Sequence, residues 1–326
     1  MVEGSVKSLD DKQKLLVIIG PTAVGKTKLS IELAKRFNGE IISGDSMQIY
    51  RGMDIGTAKI TCDEMEGISH HLIDIKDPDE NFSVAEFQLL VRAKIKEIAD
   101  RGKLPIIAGG TGLYIQSVIY DYKFADVPGD EKFRRQLEEK ADRIGAEALY
   151  KELEKLDPKG AAVVHPNNVR RVIRALEIFH LTGRTMQEFQ STQQSDPLYQ
   201  TAIVGLIIER EKLYQRINSR VDLMMEKGLL QEVTMLYQKG LRNCQSIQAI
   251  GYKEIYDYLD GKISLPQAIE NLKQNSRRYA KRQLTWFRNK MNVKWFNITD
   301  VNDYEKKIEE ISHYVEGKLR IKSNTY

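Results

Sequence analysis

The chain has 326 residues, of which 41% are hydrophobic and 29% charged, and its formal net charge is +4. This length allows two domains or one domain with a large insertion, and the composition is that of a globular protein. The apolar runs are far shorter than the roughly 20 residues of a membrane-spanning helix, and the polar amino terminus lacks the apolar core of a secretory signal. Two cysteines, Cys62 and Cys244, exclude a disulfide framework and a four-cysteine zinc site, so we expect a cytoplasmic protein.

Short apolar segments alternate with longer helical patterns in the first part of the chain. Helices are predicted at 28–37 and 82–101, and the second begins with a capping box formed by Ser83 and Glu86. Strands that alternate with helices indicate a parallel sheet covered by helices on both sides. The predicted strands lie at 15–19, 40–43, 71–75, 104–108, 201–208 and 293–298.

The strand pattern disappears between about 121 and 198, where helices are predicted at 130–144, 146–156 and 166–181. We therefore predict a helical insertion domain at 121–198, set into an α/β core formed by 1–120 and 199–326. From residue 211 to about 289 the chain is again helical, with breaks at Gly228, Gly240 and Gly261, and a last helix begins near residue 305.

Residues 20–27 form a complete phosphate-binding motif, here called the phosphate loop, which reads Gly-Pro-Thr-Ala-Val-Gly-Lys-Thr. It directly follows the apolar strand at 15–19 and precedes a helix, so backbone N–H groups and the helix dipole converge on an anion. Lys26 can reach the terminal phosphates, and the Thr27 hydroxyl can hold Mg²⁺. The sequence therefore predicts a site for a molecule with two or more phosphates.

Two further segments follow predicted strands. Asp45 comes after the second strand, and three glycines at 109–112 come after the fourth. Because the carboxyl ends of parallel strands line the ligand crevice, Asp45 should lie near the phosphate loop, where it could hold a metal or accept a proton from a nucleophile. The alternative interpretation of Asp45 is a turn aspartate that caps the next element. For the three glycines the alternative is a plain strand-to-helix turn. Asp74, near the end of the third predicted strand, is the one candidate for the strand-terminal acidic residue (Walker B) of an ATPase, and the sequence supports that assignment only weakly.

Basic residues are concentrated near the carboxyl terminus. Between 273 and 294 there are eight lysines and arginines and no acidic residue, with Tyr279, Trp286 and Phe287 interleaved. This combination favours nucleic-acid binding over a merely solvated helix face.

Other arginines are candidates for anion contacts. Arg170 and Arg171 lie outside the apolar stripe of the 166–181 helix, so they could meet an anion or form a solvated face. Arg220 could clamp a leaving group, although the sequence alone does not distinguish it from Arg216.

Taken together, these motifs resemble the bacterial tRNA dimethylallyltransferases, also called tRNA isopentenyltransferases. The phosphate loop alone is shared by many NTPases, but the combination in this order is specific and covers almost the whole chain. The matching blocks lie at 20–27, 43–50, 53–59, 70–74, 82–87, 109–114, 165–171, 248–254 and 277–286.

The resemblance implies a P-loop NTPase-like parallel sheet with a helical insertion domain that contacts tRNA. It also implies transfer of a dimethylallyl group from dimethylallyl diphosphate to the exocyclic N6 amine of the adenine 3′ of the anticodon. Diphosphate is released, Mg²⁺ is the cofactor, and the partner is the anticodon stem-loop of tRNA. We expect a monomer with no membrane partner.

The resemblance also implies roles for individual residues. Asp45 matches the general base, and a stacked adenine must be extruded to reach it. The other implied catalytic residues are Lys26, Thr27 (through Mg²⁺), Arg220 and Thr111. The implied diphosphate-binding residues are Gly20, Pro21, Thr22, Ala23, Val24, Gly25, Lys26 and Thr27. The implied tRNA-binding residues are Asp45, Ser46, Met47, Gln48, Arg170, Arg171, Gln248, Gly251, Tyr252, Lys253, Arg278, Lys281, Arg282 and Trp286.

Three other functions share part of this pattern. A small-molecule or nucleotide kinase would use the same loop and Mg²⁺, but it has no need of an acid-free basic helix. An isopentenyltransferase that acts on free adenine nucleotides would not require the RNA-binding segments at 243–290. A non-enzymatic RNA-binding protein would not need an intact Gly-Lys-Thr and Asp45.

Overall fold

The computed structural model describes residues 12–122, 129–186, 188, 196–300 and 303–324. They divide into two compact units, one containing the described residues up to Ile119 and from Pro197 onward, and the other lying within 120–196. The predicted insertion at 121–198 includes 123–128, 187 and 189–195, which lie outside the described residues.

The first unit is built on a sheet whose described strands all run parallel, as predicted. In chain order the strands are β1 (Lys14–Ile19), β2 (Gly39–Gly44), β3 (His70–His71), β4 (Leu104–Gly109), β5 (Gln200–Ile207) and β6 (Lys294–Asn297). Their order across the sheet is β3-β2-β4-β1-β5-β6. The strand that leads into the phosphate loop therefore lies inside the sheet, with a neighbour on each side.

The strands around β1 end at the same edge of the sheet. Ile19 of β1 is in register with Gly109 of β4 and Gly205 of β5, and Gly44 of β2 is also in register with Gly109. Gly109 permits this close pairing, because a Cβ atom there would lie 2.3 Å from the Gly44 carbonyl oxygen. The segments that follow β1, β2 and β4 consequently leave the sheet side by side.

The third predicted strand is wrong beyond its first residue. Leu72 and Asp74 have φ angles of 60° and 55°, a left-handed conformation that a pleated strand does not accommodate. The chain therefore leaves the sheet after His71. Asp74 is exposed in the loop that follows and forms an ion pair with Lys59 Nζ at 2.5 Å. It is therefore not an acidic residue at the carboxyl end of a strand.

Three helices of the first unit follow early strands: α1 (Lys26–Arg36) after β1, α2 (Val84–Asp100) after β3 and α3 (Gly112–Ile119) after β4. The predicted N-cap of α2 is confirmed, because the Ser83 hydroxyl accepts a hydrogen bond from the Glu86 backbone N–H at 3.1 Å. The helix itself begins at Val84, two residues later than predicted, and the Glu86 carboxylate pairs with Lys76 at 3.0 Å. Leu29 and Leu33 of α1 are buried in one hydrophobic cluster with Leu16 of β1, which anchors the start of α1 at the edge of the sheet.

The second unit is helical. It contains α4 (Glu131–Ile144), α5 (Ala146–Leu156), α6 (Pro158–Ala161) and α7 (Val169–Thr182). α7 begins three residues later than predicted, because the Asn168 side chain accepts from the Arg171 backbone N–H and acts as the N-cap. The buried Glu177 carboxylate pairs with Arg134 and Arg174, each at 2.6 Å. Arg174 is thus engaged within its own unit.

The chain between β5 and β6 is largely helical, as predicted, and one more helix follows β6. The helices are α8 (Arg210–Glu226), α9 (Leu229–Gln238), α10 (Tyr252–Leu259), α11 (Leu265–Lys290) and α12 (Tyr304–Leu319). The predicted breaks at Gly228, Gly240 and Gly261 are confirmed, since all three have φ angles between 73° and 99°. Within the described parts of the chain, we find no helix that is both long and apolar enough to span a membrane.

Glu40 links neighbouring strands near the amino-terminal edge of the sheet. Its carboxylate, 4% exposed, accepts hydrogen bonds from His71 at 2.7 Å, Arg101 at 2.6 Å and Lys103 at 2.8 Å. Burial alone would raise the pKa of Glu40, but the hydrogen bonds from Lys103, His71 and Arg101 outweigh it and lower the pKa to about 2. The ionised form is therefore stabilised by folding.

We expect Glu40→Gln to lower the free energy of unfolding by about 2 kcal/mol at pH 7, a modest value because solvent screens the partly exposed Arg101 and Lys103. Since the folded pKa lies below the unfolded value of 4.5, this stabilisation is complete above pH 4.5 and declines as the pH falls towards 2. Urea unfolding between pH 7 and pH 3 should show the difference from wild type narrowing in acid. Asp100→Asn, which removes an exposed ion pair with Lys96, is the control. A pH-independent difference would contradict the assignment.

Candidate active site

The phosphate loop joins β1 to α1, and its lysine forms hydrogen bonds with the backbone at the start of the loop. Lys26 Nζ donates hydrogen bonds to the carbonyl oxygens of Gly20 at 3.0 Å and Pro21 at 2.9 Å. Burial, followed by the neighbouring Arg220 guanidinium, lowers the pKa of Lys26 to about 8, while the charge of Asp45 acts in the opposite direction. A bound diphosphate would add negative charge beside this ammonium group and favour its protonated form.

Asp45 follows β2 and lies close to Lys26. Its Oδ1 accepts a hydrogen bond from the Met47 backbone N–H at 2.8 Å, which fixes the orientation of the carboxylate. Burial raises the pKa of Asp45, although the Met47 hydrogen bond and the charge of Lys26 act against that increase. A carboxylate whose proton affinity is raised in this way suits the role of a general base.

Two adjoining cavities meet at Asp45. The smaller, of about 110 Å³, is lined by Lys26, Thr27 and Asp45. The larger, of about 330 Å³, shares Thr22, Asp45 and Arg220 with the smaller one. Much of its remaining lining is apolar and comes from Met47, Ala58, Ile217, Val221, Met224, Ala249 and Ile250. The site therefore has one compartment bordered by the phosphate loop and an adjoining compartment suited to a less polar group.

The third loop at this edge of the sheet, after β4, supports the segment that carries Asp45. Thr111 Oγ1 accepts a hydrogen bond from the Ser46 backbone N–H at 3.3 Å. Tyr279 of α11 lines both cavities, and burial, then the charge of Asp45, raises its pKa to about 12. Its hydroxyl therefore stays protonated at neutral pH and is available as a donor.

Gln283 of α11 connects the phosphate loop to the segment after β4. Its Oε1 accepts from the Thr22 backbone N–H at 2.9 Å, and its Nε2 donates to the Gly110 carbonyl oxygen at 3.0 Å. Sequence reasoning missed this residue. The signal that could have found it is its spacing. Gln283 lies three residues after Ala280 and four before Phe287, which places it on the buried face of the helix.

Arg220 of α8 points toward the phosphate loop. Its Nη1 donates to Thr22 Oγ1 at 3.4 Å, and the side chain lines both cavities. The structure thereby distinguishes it from Arg216, which lines neither of these two cavities.

Gln48, which was predicted to contact tRNA, is engaged within the protein. Its Nε2 donates to the carbonyl oxygens of Thr57 and Ala58, both at 3.3 Å, and its Oε1 accepts from the Ser43 hydroxyl at 2.9 Å. It lines the smaller cavity, whereas Ser46 and Met47 line the larger one.

The remaining residues predicted to bind tRNA differ in exposure. Those with exposed side chains in the first unit are Gln248, Lys253, Arg278, Lys281 and Arg282. Trp286 is partly buried, and Gly251 is buried. Tyr252 is fully buried and donates its hydroxyl hydrogen to Glu232, so its side chain has no surface to offer an RNA. In the second unit, Arg170 and Arg171 are exposed in the first turn of α7.

A metal site made of protein side chains alone does not occur in the described segments of the chain. No group of three or more His, Cys, Asp or Glu side chains there is arranged to hold an ion. Thr27 and Asp45 nevertheless place a hydroxyl and a carboxylate in the lining of the smaller cavity. Hard oxygen donors of this kind are those that Mg²⁺ uses together with phosphate oxygens.

Comparison with known proteins reveals close similarity along nearly the whole chain. The chain is 63% identical to the tRNA dimethylallyltransferase of Geobacillus thermodenitrificans over 312 aligned residues. The alignment covers 96% of this chain and 99% of that protein. The full-length tRNA isopentenylpyrophosphate transferase of Bacillus halodurans superposes with a TM-score of 0.73 at 59% identity, covering 95% and 97% of the two chains. A eukaryotic dimethylallyltransferase acting on tRNA superposes with a TM-score of 0.82 at 33% identity, covering 96% and 81%.

A family model agrees with these relatives. The model described as IPP transferase matches residues 48–290, a range that includes Gln48, Arg220 and the basic part of α11. The chain therefore belongs to the IPP transferase family, in agreement with the resemblance found in its motifs.

Proposed function

We propose that this chain transfers the dimethylallyl group of dimethylallyl diphosphate to the N6 amine of the adenine 3′ of the anticodon in tRNA, with release of diphosphate. The observation that carries the proposal is the position of Asp45, where the phosphate-binding cavity meets the larger, mostly apolar one. A base at that junction lies between a leaving diphosphate and an attacking nucleophile. The names of the relatives support the same activity.

The reaction divides between the two cavities. The diphosphate end lies in the smaller cavity, where the phosphate-loop N–H groups, Lys26 and Arg220 stabilise the negative charge that develops on the leaving oxygen. The lone pair of the adenine amine forms the new C–N bond to the allylic carbon. The electrons of the broken C–O bond leave with diphosphate, and the Asp45 carboxylate accepts the proton that the amine loses.

We further propose that the cofactor is Mg²⁺. The Thr27 hydroxyl would hold it next to the diphosphate, and the Asp45 carboxylate lines the same cavity. The ion supplies charge neutralisation of the diphosphate when bound. The side chains of Lys26 and Arg220 place and neutralise the same group from the protein side.

The RNA contacts are proposed on both units. In the first unit three of the exposed basic residues of α11, Arg278, Lys281 and Arg282, would meet phosphates of the anticodon stem-loop. In the second unit Arg170 and Arg171 would do the same from α7. The target adenine has to leave its stack to reach Asp45.

Incubation with labelled dimethylallyl diphosphate and unmodified tRNA tests the activity directly. We expect label in tRNA and stoichiometric release of diphosphate, with little transfer to ATP or AMP. Efficient prenylation of AMP would instead indicate an enzyme for free adenine nucleotides. ATP-dependent phosphorylation of a small molecule, with no label in tRNA, would identify a kinase and overturn the proposal.

A further inference from the structure

The segment between β2 and β3 forms a wall of both cavities, and a buried carboxylate holds it in place. Gly56, Thr57 and Ala58 of this segment, here called the cavity wall, line the larger cavity, and the last two also line the smaller one. The wall has no regular secondary structure, and Ala58 has a φ angle of 50°. Such a backbone conformation is unfavourable for alanine, so its surroundings must hold it.

Glu232 of α9 is the residue that fastens the segment. Its Oε2 accepts from the backbone N–H groups of Asp54 at 2.9 Å and Ile55 at 2.7 Å, and its Oε1 accepts from the N–H of Gly56 at 3.1 Å. The Tyr252 hydroxyl donates a fourth hydrogen bond at 2.5 Å. With 7% exposure the carboxylate is nearly removed from water, so these four donors replace its hydration.

The Tyr252 ring holds the wall from the same side. A Cβ atom on Gly56 would lie 2.5 Å from the ring, so the backbone approaches the phenol as closely as a glycine permits. Burial, and then the neighbouring Glu232 carboxylate, raises the pKa of Tyr252 far above its ordinary value, which keeps the hydroxyl a donor.

A chain of hydrogen bonds leads from the wall to the proposed base. The carbonyl oxygens of Thr57 and Ala58 accept from Gln48 Nε2, and Gln48 Oε1 accepts from the Ser43 hydroxyl. That hydroxyl in turn accepts from the Asp45 backbone N–H at 3.4 Å. Displacement of the wall would therefore move both Gln48 and the segment that carries Asp45.

We propose that Glu232 is a positioning residue of the transfer reaction: by fixing the cavity wall it sets the place of Gln48 and Asp45 relative to the acceptor, without touching substrate. The proposal rests on the proposed function for its catalytic consequence. The phosphate loop should be unaffected, because Lys26 and Gln283 hold that loop through separate contacts.

Glu232→Gln tests this assignment. The amide has the shape of the carboxylate, but one of the two acceptor oxygens is replaced by an NH₂ group, which cannot accept hydrogen bonds from the backbone N–H groups or the Tyr252 hydroxyl. We expect kcat to fall about 10- to 100-fold, whereas the affinity for inorganic pyrophosphate, measured by calorimetry, stays within about twofold of wild type. Gly56→Ala pushes the same wall away from the Tyr252 ring and should show the same division between kcat and pyrophosphate affinity. The matched control is Glu316→Gln, which removes a partly buried carboxylate that accepts from Ser323 N–H and Oγ, and it should leave both quantities unchanged.

Amide hydrogen exchange separates this inference from the proposed function. In Glu232→Gln we expect faster exchange at residues 54–58 and unchanged exchange at 20–27, whichever reaction the protein catalyses. Unchanged exchange at 54–58 would overturn the positioning role even if transferase activity is confirmed. A parallel loss of kcat and pyrophosphate affinity would also overturn it, because it would indicate general destabilisation. Absence of prenyl transfer by the wild type would refute only the proposed function.

Discussion

Replacement of Asp45 by alanine should reduce the rate of prenyl transfer by about 10²- to 10⁴-fold, the range expected when a general base is lost. The exocyclic amine of adenine is a poor nucleophile, and its proton becomes acidic only as the C–N bond forms. Without the carboxylate at the junction of the two cavities, no side chain at that position can accept the proton. Single-turnover measurements with saturating tRNA and dimethylallyl diphosphate isolate this step from product release.

The variant should still bind tRNA, because the exposed basic residues of α11 are unchanged. Asp45→Asn is the closer structural match, since its Oδ1 can still accept from the Met47 N–H, and it should lose activity to a similar extent. Asp100→Asn, at the end of α2, is the control and should be fully active. If Asp45→Ala retained most of its single-turnover rate, Asp45 would not be the base.

The wild-type pH profile offers a second check on the same residue. A general base must be deprotonated, so the rate should decline in acid as Asp45 gains a proton. Because burial raises the pKa of Asp45, this decline should begin at a higher pH than for an exposed aspartate. A rate that is constant down to the ordinary aspartate pKa of 3.8 would contradict the assignment.

The second large effect is expected when Arg278, Lys281 and Arg282 are changed together to alanine. These exposed residues of α11 are proposed to neutralise RNA phosphates, and each such contact releases bound counterions. We expect the affinity for the anticodon stem-loop to fall by about 10²-fold or more. The slope of log affinity against log salt concentration should become shallower by about 2 to 3.

Filter binding or fluorescence anisotropy over a salt series provides both quantities. A matched triple variant of exposed lysines elsewhere, Lys306, Lys318 and Lys322, controls for the change in net charge. Pyrophosphate affinity should stay unchanged in the α11 variant, since the inward-facing Gln283 is retained. An unchanged salt slope would remove this helix from the RNA interface.

Local patterns in the sequence were sufficient for most of the α/β core. An apolar run followed by a glycine-rich motif and a helical pattern predicted β1, the phosphate loop and α1, because burial, turn geometry and helix periodicity are encoded within about 20 residues. The same reasoning placed Asp45 near Lys26, since parallel strands end at a common edge. It was wrong for 72–75, where left-handed Leu72 and Asp74 end the strand despite its apolar pattern.

The contacts that fix the site geometry were decided only by the tertiary structure. Gln283 and Thr22 are separated by 261 positions, and Glu232 and Asp54 by 178, so no local pattern connects them. In sequence, Glu232 is one charged residue on an amphipathic helix, and Tyr252 stands within a block expected to bind tRNA. Packing buried both side chains, and a buried polar group must find partners inside the protein. The residues by themselves determined which chemistry is available, whereas the long-range contacts decided which groups line the two cavities and which hold those groups in place.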